Sequence, residues 1–391
     1  MDKLFLLDAY ALIYRAYYAF IKNPRINSKG FNTSAIMGFV NTLEDVLKKE
    51  NPTHIGIAFD PAGLTFRHEM FEQYKAQREE TPEAIRLSVP IIKDIIRAYR
   101  IPILEVAGYE ADDVIGTLAT EAGKQGIKTY MMTPDKDYGQ LVTDNVFMYR
   151  PKYGDKEFEV IGVEEIKAKF DIQSPAQVID MLGLMGDSAD NIPGCPGVGE
   201  KTAQKLIAQF GSIENLLAHT NELKGAIKTK VESNKEKIEF SKFLATIKVD
   251  VPITLNMEEL SRKEPDEDEL RRLFEELEFR TLIDRVLKTN KTTASPTPQV
   301  SQPDLFGFFA DNGTDDSKNS SLKRLNDIDV DYQLVDTEAK EDELLQLILT
   351  HDNFALDTET TGTDPISAEL VGMSFSFAEN QAFYVPVSYT H

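Results

Sequence analysis

Three carboxylates lie within four residues of the sequence, at Glu110, Asp112 and Asp113, immediately before an apolar helical pattern. Ionised acids this close repel one another, so they remain charged only where cations or hydrogen-bond donors hold them. An acidic first turn facing the positive end of a helix dipole is the ordinary structural explanation, and for this stretch alone it stays open. The positions of other isolated acids favour a shared site.

Acids also follow three short apolar runs. The three cases are residues 4–7 before Asp8, residues 54–59 before Asp60, and residues 128–133 before Asp135 and Asp137. Each run is typical of a strand buried on both faces, and helical patterns separate the runs, which predicts a parallel α/β sheet. Sites in open sheets form outside the carboxyl ends of the strands, so we expect these acids to converge.

Two more acids lie in a turn-rich loop after the apolar helical pattern at 178–184. The candidate metal ligands are then Asp8, Asp60, Glu110, Asp112, Asp113, Asp135, Asp137, Asp187 and Asp190. All are hard oxygen donors without His or Cys, which favours Mg²⁺ or Mn²⁺ over zinc. Two ions about 3.5 to 4 Å apart could clamp the attacking and leaving oxygens of an in-line phosphoryl displacement.

Three motifs carry a resemblance to a known family: Glu110-Ala-Asp-Asp, Thr133-Pro-Asp-Lys-Asp, and the run from Gly186 to Ala203. In this order they resemble the 5′ nuclease domain of bacterial DNA polymerase I, within the flap endonuclease family, over about 290 residues. The resemblance implies two or more Mg²⁺ ions, with Mn²⁺ as a substitute. It implies a first metal on Asp8, Asp60, Glu110 and Asp112, and a second on Asp112, Asp135, Asp137 and Asp187, with Asp113 and Asp190 in outer positions.

The same resemblance implies a domain organisation. Residues 1–170 are expected to form a PIN-like catalytic α/β core with a helical arch at about 64–90, and residues 171–288 a helical helix-two-turn-helix subdomain that binds DNA. Arch residues Arg67, Lys75 and Arg78 are spaced to point toward the metals. A solvated, mixed-charge helix is the alternative. Lys75 and Arg78 are expected to act in catalysis with Asp112, by stabilising charge on the scissile phosphate, and Arg67 to contact DNA.

Further DNA contacts are predicted on both sides of the acids. Tyr14 and Arg15 follow Asp8 in a helical pattern, where a stacking surface and a phosphate contact would lie at the mouth of the site; a tyrosine stripe that packs in the core is the alternative. A glycine-rich turn precedes another predicted helix, and its amides could bind phosphate. Its candidate residues are Gly194, Gly197, Gly199, Lys201 and Lys205. The resemblance adds a K⁺ ion on the main-chain oxygens of this turn.

Charge is unevenly distributed along the 391 residues, whose net charge is −22. Residues 1–290 carry 38 basic and 47 acidic side chains, and residues 291–391 carry 5 and 18. The candidate ligands account for the excess in the first part, so a nucleic-acid partner is not excluded. The single cysteine, Cys195, allows no internal disulfide, and we see no signal peptide or membrane span. The single cysteine favours a reducing cytosol, and the resemblance implies a bacterial, nucleoid-associated protein, for which a monomer is expected.

The last hundred residues divide into a predicted flexible linker at 289–321 and a second α/β region at 322–391. Within the linker, Gln302 to Phe306 resembles a sliding-clamp peptide, and packing against the chain's own domains is the alternative. Asp357 and Glu359 alternate on one strand and resemble the first motif of a 3′-5′ exonuclease fold. Only 32 residues follow Glu359, so we expect an incomplete fragment without activity.

The predicted function is metal-dependent hydrolysis of phosphodiesters in DNA or an RNA primer, at a 5′ flap or a nick in duplex DNA, during replication and repair. No polymerase activity is predicted for this chain. A PIN-like RNA nuclease is one alternative, but it would lack the long arch and the glycine-rich hairpin. A DNA-binding scaffold without catalysis is another, and it would be favoured only if key acids were missing.

Overall fold

The computed structural model describes residues 2–78, 80–151, 158–287, 331–351, 353–360, 369–378 and 380–387. The chain forms two compact units, residues 1–310 and 311–391. The predicted linker at 289–321 and its Gln302 to Phe306 segment lie outside the described residues. Both therefore stay predictions.

The first unit is built on a six-stranded sheet. Its strands are β1 (Lys3–Asp8), β2 (His54–Ala58), β3 (Ile103–Leu104), β4 (Lys128–Met132), β5 (Val146–Pro151) and β6 (Phe158–Ile161). Their order is β3-β2-β1-β4-β5-β6, and all neighbours are parallel except β5 and β6. The three apolar runs are the three central strands, so the predicted parallel sheet is confirmed.

Both faces of the central strands are buried, which explains their continuous apolar sequence. In β1, Leu4 and Leu6 belong to one hydrophobic cluster, and Phe5 and Leu7 belong to the cluster on the other face. This alternation follows from side chains pointing to opposite faces of a strand. The flanking helices are α1 (Ala9–Ala19), α2 (Ser34–Asp45), α3 (Phe66–Met70), α4 (Glu83–Ala98), α5 (Ala111–Lys124) and α6 (Val163–Phe170), with a π-helical turn at Val46–Glu50 and a 3-10 helix at Lys136–Leu141.

The segment predicted as a helical arch at 64–90 is shorter in the structure. Among its described residues, only those of α3 are helical before a run of turns, and residues 83–90 already belong to α4, whose Ile85 and Ile92 are fully buried. The turns contact the acidic loop near residue 190, where the Lys75 amide donates to the Asp190 carbonyl at 3.1 Å. The segment at 64–82 therefore links the sheet to that loop.

Helices dominate after residue 171. They are α7 (Gln177–Met185), α8 (Glu200–Phe210), α9 (Ile213–Ala218), α10 (Gly225–Ser233), α11 (Lys235–Ala245), α12 (Met257–Leu260), α13 (Glu267–Glu276) and α14 (Arg280–Leu287), with a 3-10 turn at Thr220–Glu222. Helices α7 to α11 share the cluster that includes Leu4, whereas Leu270 and Phe274 of α13 join the opposite one. The predicted subdomain at 171–288 thus contributes to both hydrophobic clusters of the first unit.

The second unit contains a small mixed sheet and one helix. Its elements are β7 (Asp331–Leu334), α15 (Glu338–Thr350), β8 (Ala355–Thr360), β9 (Leu370–Ser376) and β10 (Gln381–Pro386). The order is β7-β10-β9-β8, with Asp357 and Glu359 on the edge strand β8. Among the described residues of this unit, the buried core consists of Val335, Leu344 and Phe383. Among the described residues of both units, none of the helices has the length and apolar character of a membrane span.

Candidate active site

The predicted acids converge at the carboxyl edge of the sheet. Asp8 ends β1 and caps α1, Asp60 follows β2, and Asp135 follows β4, while Glu110 and Asp112 begin α5. A cleft of about 570 Å³ lies over this edge. The charged residues that line it are Asp8, Asp60, Lys75, Arg78, Asp112, Asp135 and Asp190.

Four of the carboxylates, which we call the inner acids, accept hydrogen bonds from neutral donors. The contacts are Asp8 with Ala11 N (3.0 Å) and Thr133 Oγ1 (3.3 Å), Asp60 with Ala111 N (2.8 Å), Asp112 with Tyr138 Oη (2.8 Å) and Asp135 with Asp137 N (3.0 Å). In the described part of the chain, no Lys or Arg forms an ion pair with any of them. Their negative charge is therefore left without a directly bound cation.

Unbalanced charge in the cleft changes the acidity of its side chains. Burial, together with the nearby Asp60 and Asp135 carboxylates, raises the pKa of Asp8 to about 7. Burial and the charges of Asp8 and Asp135 also raise the pKa of Asp112 well above its ordinary value. A divalent cation placed among these groups would relieve their repulsion, so the inner acids fit such an ion.

Four further candidate ligands at or beside the cleft, which we call the outer acids, are paired with cations. The ion pairs are Glu110 with Lys75 (2.6 Å) and Arg67 (3.1 Å), Asp190 with Arg78 and with Lys75 (3.8 Å), Asp187 with Lys136, and Asp137 with Lys136 (3.2 Å). Although burial opposes ionisation of Glu110, Lys75 and Arg67 hold the pKa of that carboxyl below its ordinary value. The structure thus places Lys75 and Arg78 in the cleft, as the sequence predicted.

Asp137 differs from the other outer acids because its partner does not satisfy it fully. Its buried Oδ1 atom lies 3.2 Å from Lys136 Nζ, which is an ion-pair contact without the geometry of a hydrogen bond. Burial and the Asp135 charge raise the pKa of Asp137 to about 7.

Within the described residues, no three acidic, His or Cys side chains lie close enough together to enclose a metal ion. The Lys136 ammonium forms ion pairs with both Asp137 and Asp187.

Two predictions, one about Asp113 and one about Arg67, are wrong. Asp113 is fully buried and receives two hydrogen bonds from the Arg67 guanidinium, both of 2.8 Å, so it does not face the cleft as a metal ligand. Arg67 is only 2% exposed and also donates to the carbonyls of Leu244 and Thr246, so it cannot reach DNA. Asp113 is the third residue of α5 and accepts from the Glu110 amide, which is a capping role.

The predicted nucleic-acid contacts fall into different environments. Tyr14 lines the cleft and donates to Thr81 Oγ1 at 3.0 Å. The Arg15 guanidinium lies 5.6 Å from the centre of the Phe158 ring, on the edge strand. On α8, Lys201 and Lys205 are exposed. These placements do not test the predicted DNA contacts of Tyr14, Lys201 and Lys205, which stay predictions.

The glycine-rich turn has a buried part and an exposed part. Gly194 is buried, its amide donates to Ser241 Oγ at 2.9 Å, and a Cβ there would lie 2.4 Å from the Gly186 nitrogen. Gly194 therefore permits close approach of two backbone segments, and the prediction that it binds DNA is wrong. Gly197 and Gly199 are exposed, and the Gly197 carbonyl accepts from Lys230 Nζ at 3.1 Å.

Sequence reasoning missed three residues that hold the acids. Tyr74 donates to Glu110 Oε2 at 3.0 Å and Tyr138 donates to Asp112, while Lys136 binds two outer acids. For Lys136, the position between two acids in the motif was an available indication. For the tyrosines, no local pattern indicated the partner.

The fold and site define an α/β protein with an acidic cleft at the carboxyl edge of its sheet, followed by a helical subdomain. Residues 3–171 match the 5′-3′ exonuclease N-terminal resolvase-like domain, and residues 173–268 match the 5′-3′ exonuclease C-terminal SAM fold. The chain belongs to the 5′-3′ exonuclease family. Residues 332–391 match a 3′-5′ exonuclease domain, in agreement with the resemblance around Asp357.

Individual relatives agree with this assignment. The chain is 37% identical over 306 residues to a 5′-3′ exonuclease of Aquifex aeolicus, covering 78% of this chain and 100% of the relative. It is 38% identical over 300 residues to DNA polymerase I of Bacillus caldotenax, covering 76% of this chain. The matched part is 34% of that polymerase, so the chain spans about a third of its length.

A solved structure shows the same fold. The bacteriophage T5 flap endonuclease, in a complex with DNA and metal ions, aligns with 71% of this chain and 100% of its own at a TM-score of 0.54 and 19% identity.

Proposed function

We propose that this chain hydrolyses phosphodiester bonds at 5′ ends of duplex DNA, at flaps and nicks, with divalent cations held in the acidic cleft. The observation that carries the proposal is the group of four inner acids without a bound Lys or Arg, beside two basic residues, Lys75 and Arg78. The full-length match to an exonuclease and the DNA and metal ions in the T5 complex support it.

The residues available to hold cations follow the division into inner and outer acids. Asp8, Asp60 and Asp112, with Asp135, would hold a first ion, and a second would use Asp135 and Asp112 with the outer acids Asp137 and Asp187. The chemistry that such ions supply is activation of water and stabilisation of the leaving oxygen. Oxygen ligands favour Mg²⁺, with Mn²⁺ as a substitute. Glu110, paired with Lys75, would join the first ion only when that pair opens.

The basic residues of the cleft would act on the substrate. Lys75 and Arg78 are placed to offset charge on a phosphate that enters the cleft, which is the electrostatic role expected in phosphoryl transfer. Tyr14 offers an aromatic ring at the same surface. Because such ions would activate water directly, the proposal requires no His base, and no His lines the cleft within the described residues.

Duplex DNA would bind at the exposed end of the glycine-rich turn. Gly197 and Gly199 lead into α8, whose Lys201 and Lys205 are exposed, so amides and ammonium groups can face one phosphate backbone. A K⁺ ion on the carbonyls of this turn, a sliding-clamp contact through Gln302 to Phe306, and a monomeric state in the bacterial cytosol belong to the same proposal and rest on the sequence alone.

The test is cleavage of a 5′-flap duplex labelled on the flapped strand. With Mg²⁺ or Mn²⁺ we expect cuts near the junction, and none with EDTA or with Asp112→Ala. Asp94→Ala is the matched control, because Asp94 is an exposed acid of α4 paired with Arg97. Salt-sensitive binding without cleavage would instead indicate a DNA-binding scaffold, and preference for an all-RNA flap would indicate an RNA nuclease. Cleavage that survives Asp112→Ala would overturn the assignment of the site.

A further inference from the structure

Tyr138 is the largest side chain that is fully buried in the described part of the chain. It lies on the 3-10 helix Lys136–Leu141, directly after Asp135 and Asp137, and its ring belongs to the core cluster that includes Ile115. Its hydroxyl donates to Asp112 Oδ1 at 2.8 Å. The motif that supplies two acids therefore also supplies the hydrogen-bond donor for a third.

We propose that Tyr138 is a positioning residue for divalent-ion binding: it ties Asp112 Oδ1 to the core and leaves Oδ2 directed to the cleft. The proposal rests on the proposed function, because it assigns Asp112 to the ions. Asp112 accepts no other hydrogen bond in the part of the chain that the structure describes. Without the hydroxyl, its carboxylate would be free to turn away from the neighbouring Asp8 and Asp135.

The chemistry of the donor suits this task. A Lys or Arg in the same place would orient Asp112 and also cancel part of the charge that attracts a cation, as Lys75 does for Glu110. A phenol orients the carboxylate and leaves its charge. Groups that orient metal ligands in this way typically contribute 10- to 100-fold in metal affinity.

A buried tyrosine hydroxyl needs a partner in any protein, so a role limited to folding must be separated from positioning. The chain offers a matched case. Tyr99 is 4% exposed and donates to Glu44 Oε1 at 2.6 Å, on α2 and away from the residues that line the cleft. Tyr99→Phe removes the same kind of bond as Tyr138→Phe and leaves Asp112 untouched.

The experiment measures Mn²⁺ binding without DNA, by the electron paramagnetic resonance signal of free Mn²⁺. We expect Tyr138→Phe to weaken binding about 10- to 100-fold and Tyr99→Phe to change it less than about twofold. In an Asp112→Asn background, Tyr138→Phe should have no further effect, since the hydroxyl acts through that carboxylate. Circular dichroism at the binding temperature checks that each variant is folded.

The outcomes separate the two proposals. If the wild-type chain does not bind Mn²⁺, or Asp112→Asn binds it equally well, the proposed function fails. If the wild type binds Mn²⁺ and Tyr138→Phe binds it within twofold, the inference about Tyr138 is overturned.

A second readout leaves position 138 intact, should Tyr138→Phe not fold. The sequence contains no Trp, and Phe does not absorb at the long-wavelength end of the tyrosine band, so absorbance in that region reports tyrosines alone. A chain carrying Tyr10→Phe, Tyr14→Phe and Tyr74→Phe removes the other tyrosines at the cleft. Mn²⁺ should still change its tyrosine spectrum, because an ion on Asp112 weakens the acceptor of the Tyr138 hydroxyl. An unchanged spectrum at saturating Mn²⁺ would contradict the proposal.

Discussion

Replacing Asp8 by Asn should make the metal-free chain more stable, although Asp8 is a predicted metal ligand. The Asp8 carboxyl has a pKa of about 7 in the folded chain because of burial and the neighbouring Asp60 and Asp135 carboxylates. An amide oxygen can still accept from the Ala11 amide, since Asn caps helices as well as Asp does. The substitution thus removes the repelled charge and keeps the helix cap.

The size and sign follow from linkage. Between about pH 4 and pH 7 the folded chain retains a proton on Asp8 that the unfolded chain has released, so the free energy of unfolding falls as pH rises. The difference from the ordinary value of 3.8 corresponds to about 4 kcal/mol at most. Because neighbouring acids share the protons, we expect the advantage of Asp8→Asn over wild type to grow by about 1 to 2 kcal/mol from pH 5 to pH 8.

Urea unfolding in EDTA at the two pH values measures this difference. Asp266→Asn is the control, because Asp266 caps α13 through the Glu269 amide at 3.1 Å and is not in the acidic cleft. The pH dependence of its effect gives the baseline for an acid that caps a helix outside the cleft. Saturating Mn²⁺ should then stabilise the wild type more than Asp8→Asn. An Asp8→Asn advantage that does not grow with pH beyond that of the control would refute the reasoning.

Three further substitutions test other parts of the site. Arg67→Met leaves the Asp113 charge buried and should cost about 3 to 5 kcal/mol in urea unfolding, whereas Arg272→Met, which removes two exposed ion pairs of α13, should cause little change. Lys136→Met removes an ammonium from two outer acids and should tighten Mn²⁺ binding about tenfold in the same resonance titration; weaker binding would contradict the charge argument. Lys201→Ala should lower the slope of log Kd for flap DNA against log salt by about 0.9, and an unchanged slope would remove Lys201 from the interface.

The sequence was sufficient for the sheet and for the convergence of acids at its edge. Continuous apolar runs that end in Asp define buried parallel strands, and the carboxyl ends of such strands meet by topology. Asp8, Asp60 and Asp135 therefore lie where they were predicted. No knowledge of side-chain contacts was needed for this step.

Side-chain partners that are distant in sequence account for the errors. Arg67 and Asp113 are separated by 46 residues, and each one alone has the charge expected of a site residue. Only the folded chain shows that they neutralise each other in the core. The Asp113 position, third in α5, did favour a capping role, but three clustered acids made a metal ligand equally reasonable. Gly194 differs from Gly197 through the close approach of Gly186, which no local pattern specifies.

Among the described residues, Lys and Arg side chains balance the outer acids, whereas the inner acids have no such partner. Lys75 has a positive φ of 56°, an unfavourable conformation for a residue with a side chain, and its amide is held by the Asp190 carbonyl. This places its ammonium on Glu110, where it offsets charge that would otherwise add to the repulsion among the inner acids. A phosphate entering the cleft would compete with Glu110 for the same ammonium. Substrate binding would then free a carboxylate for a cation, so DNA and divalent ions should each strengthen the binding of the other.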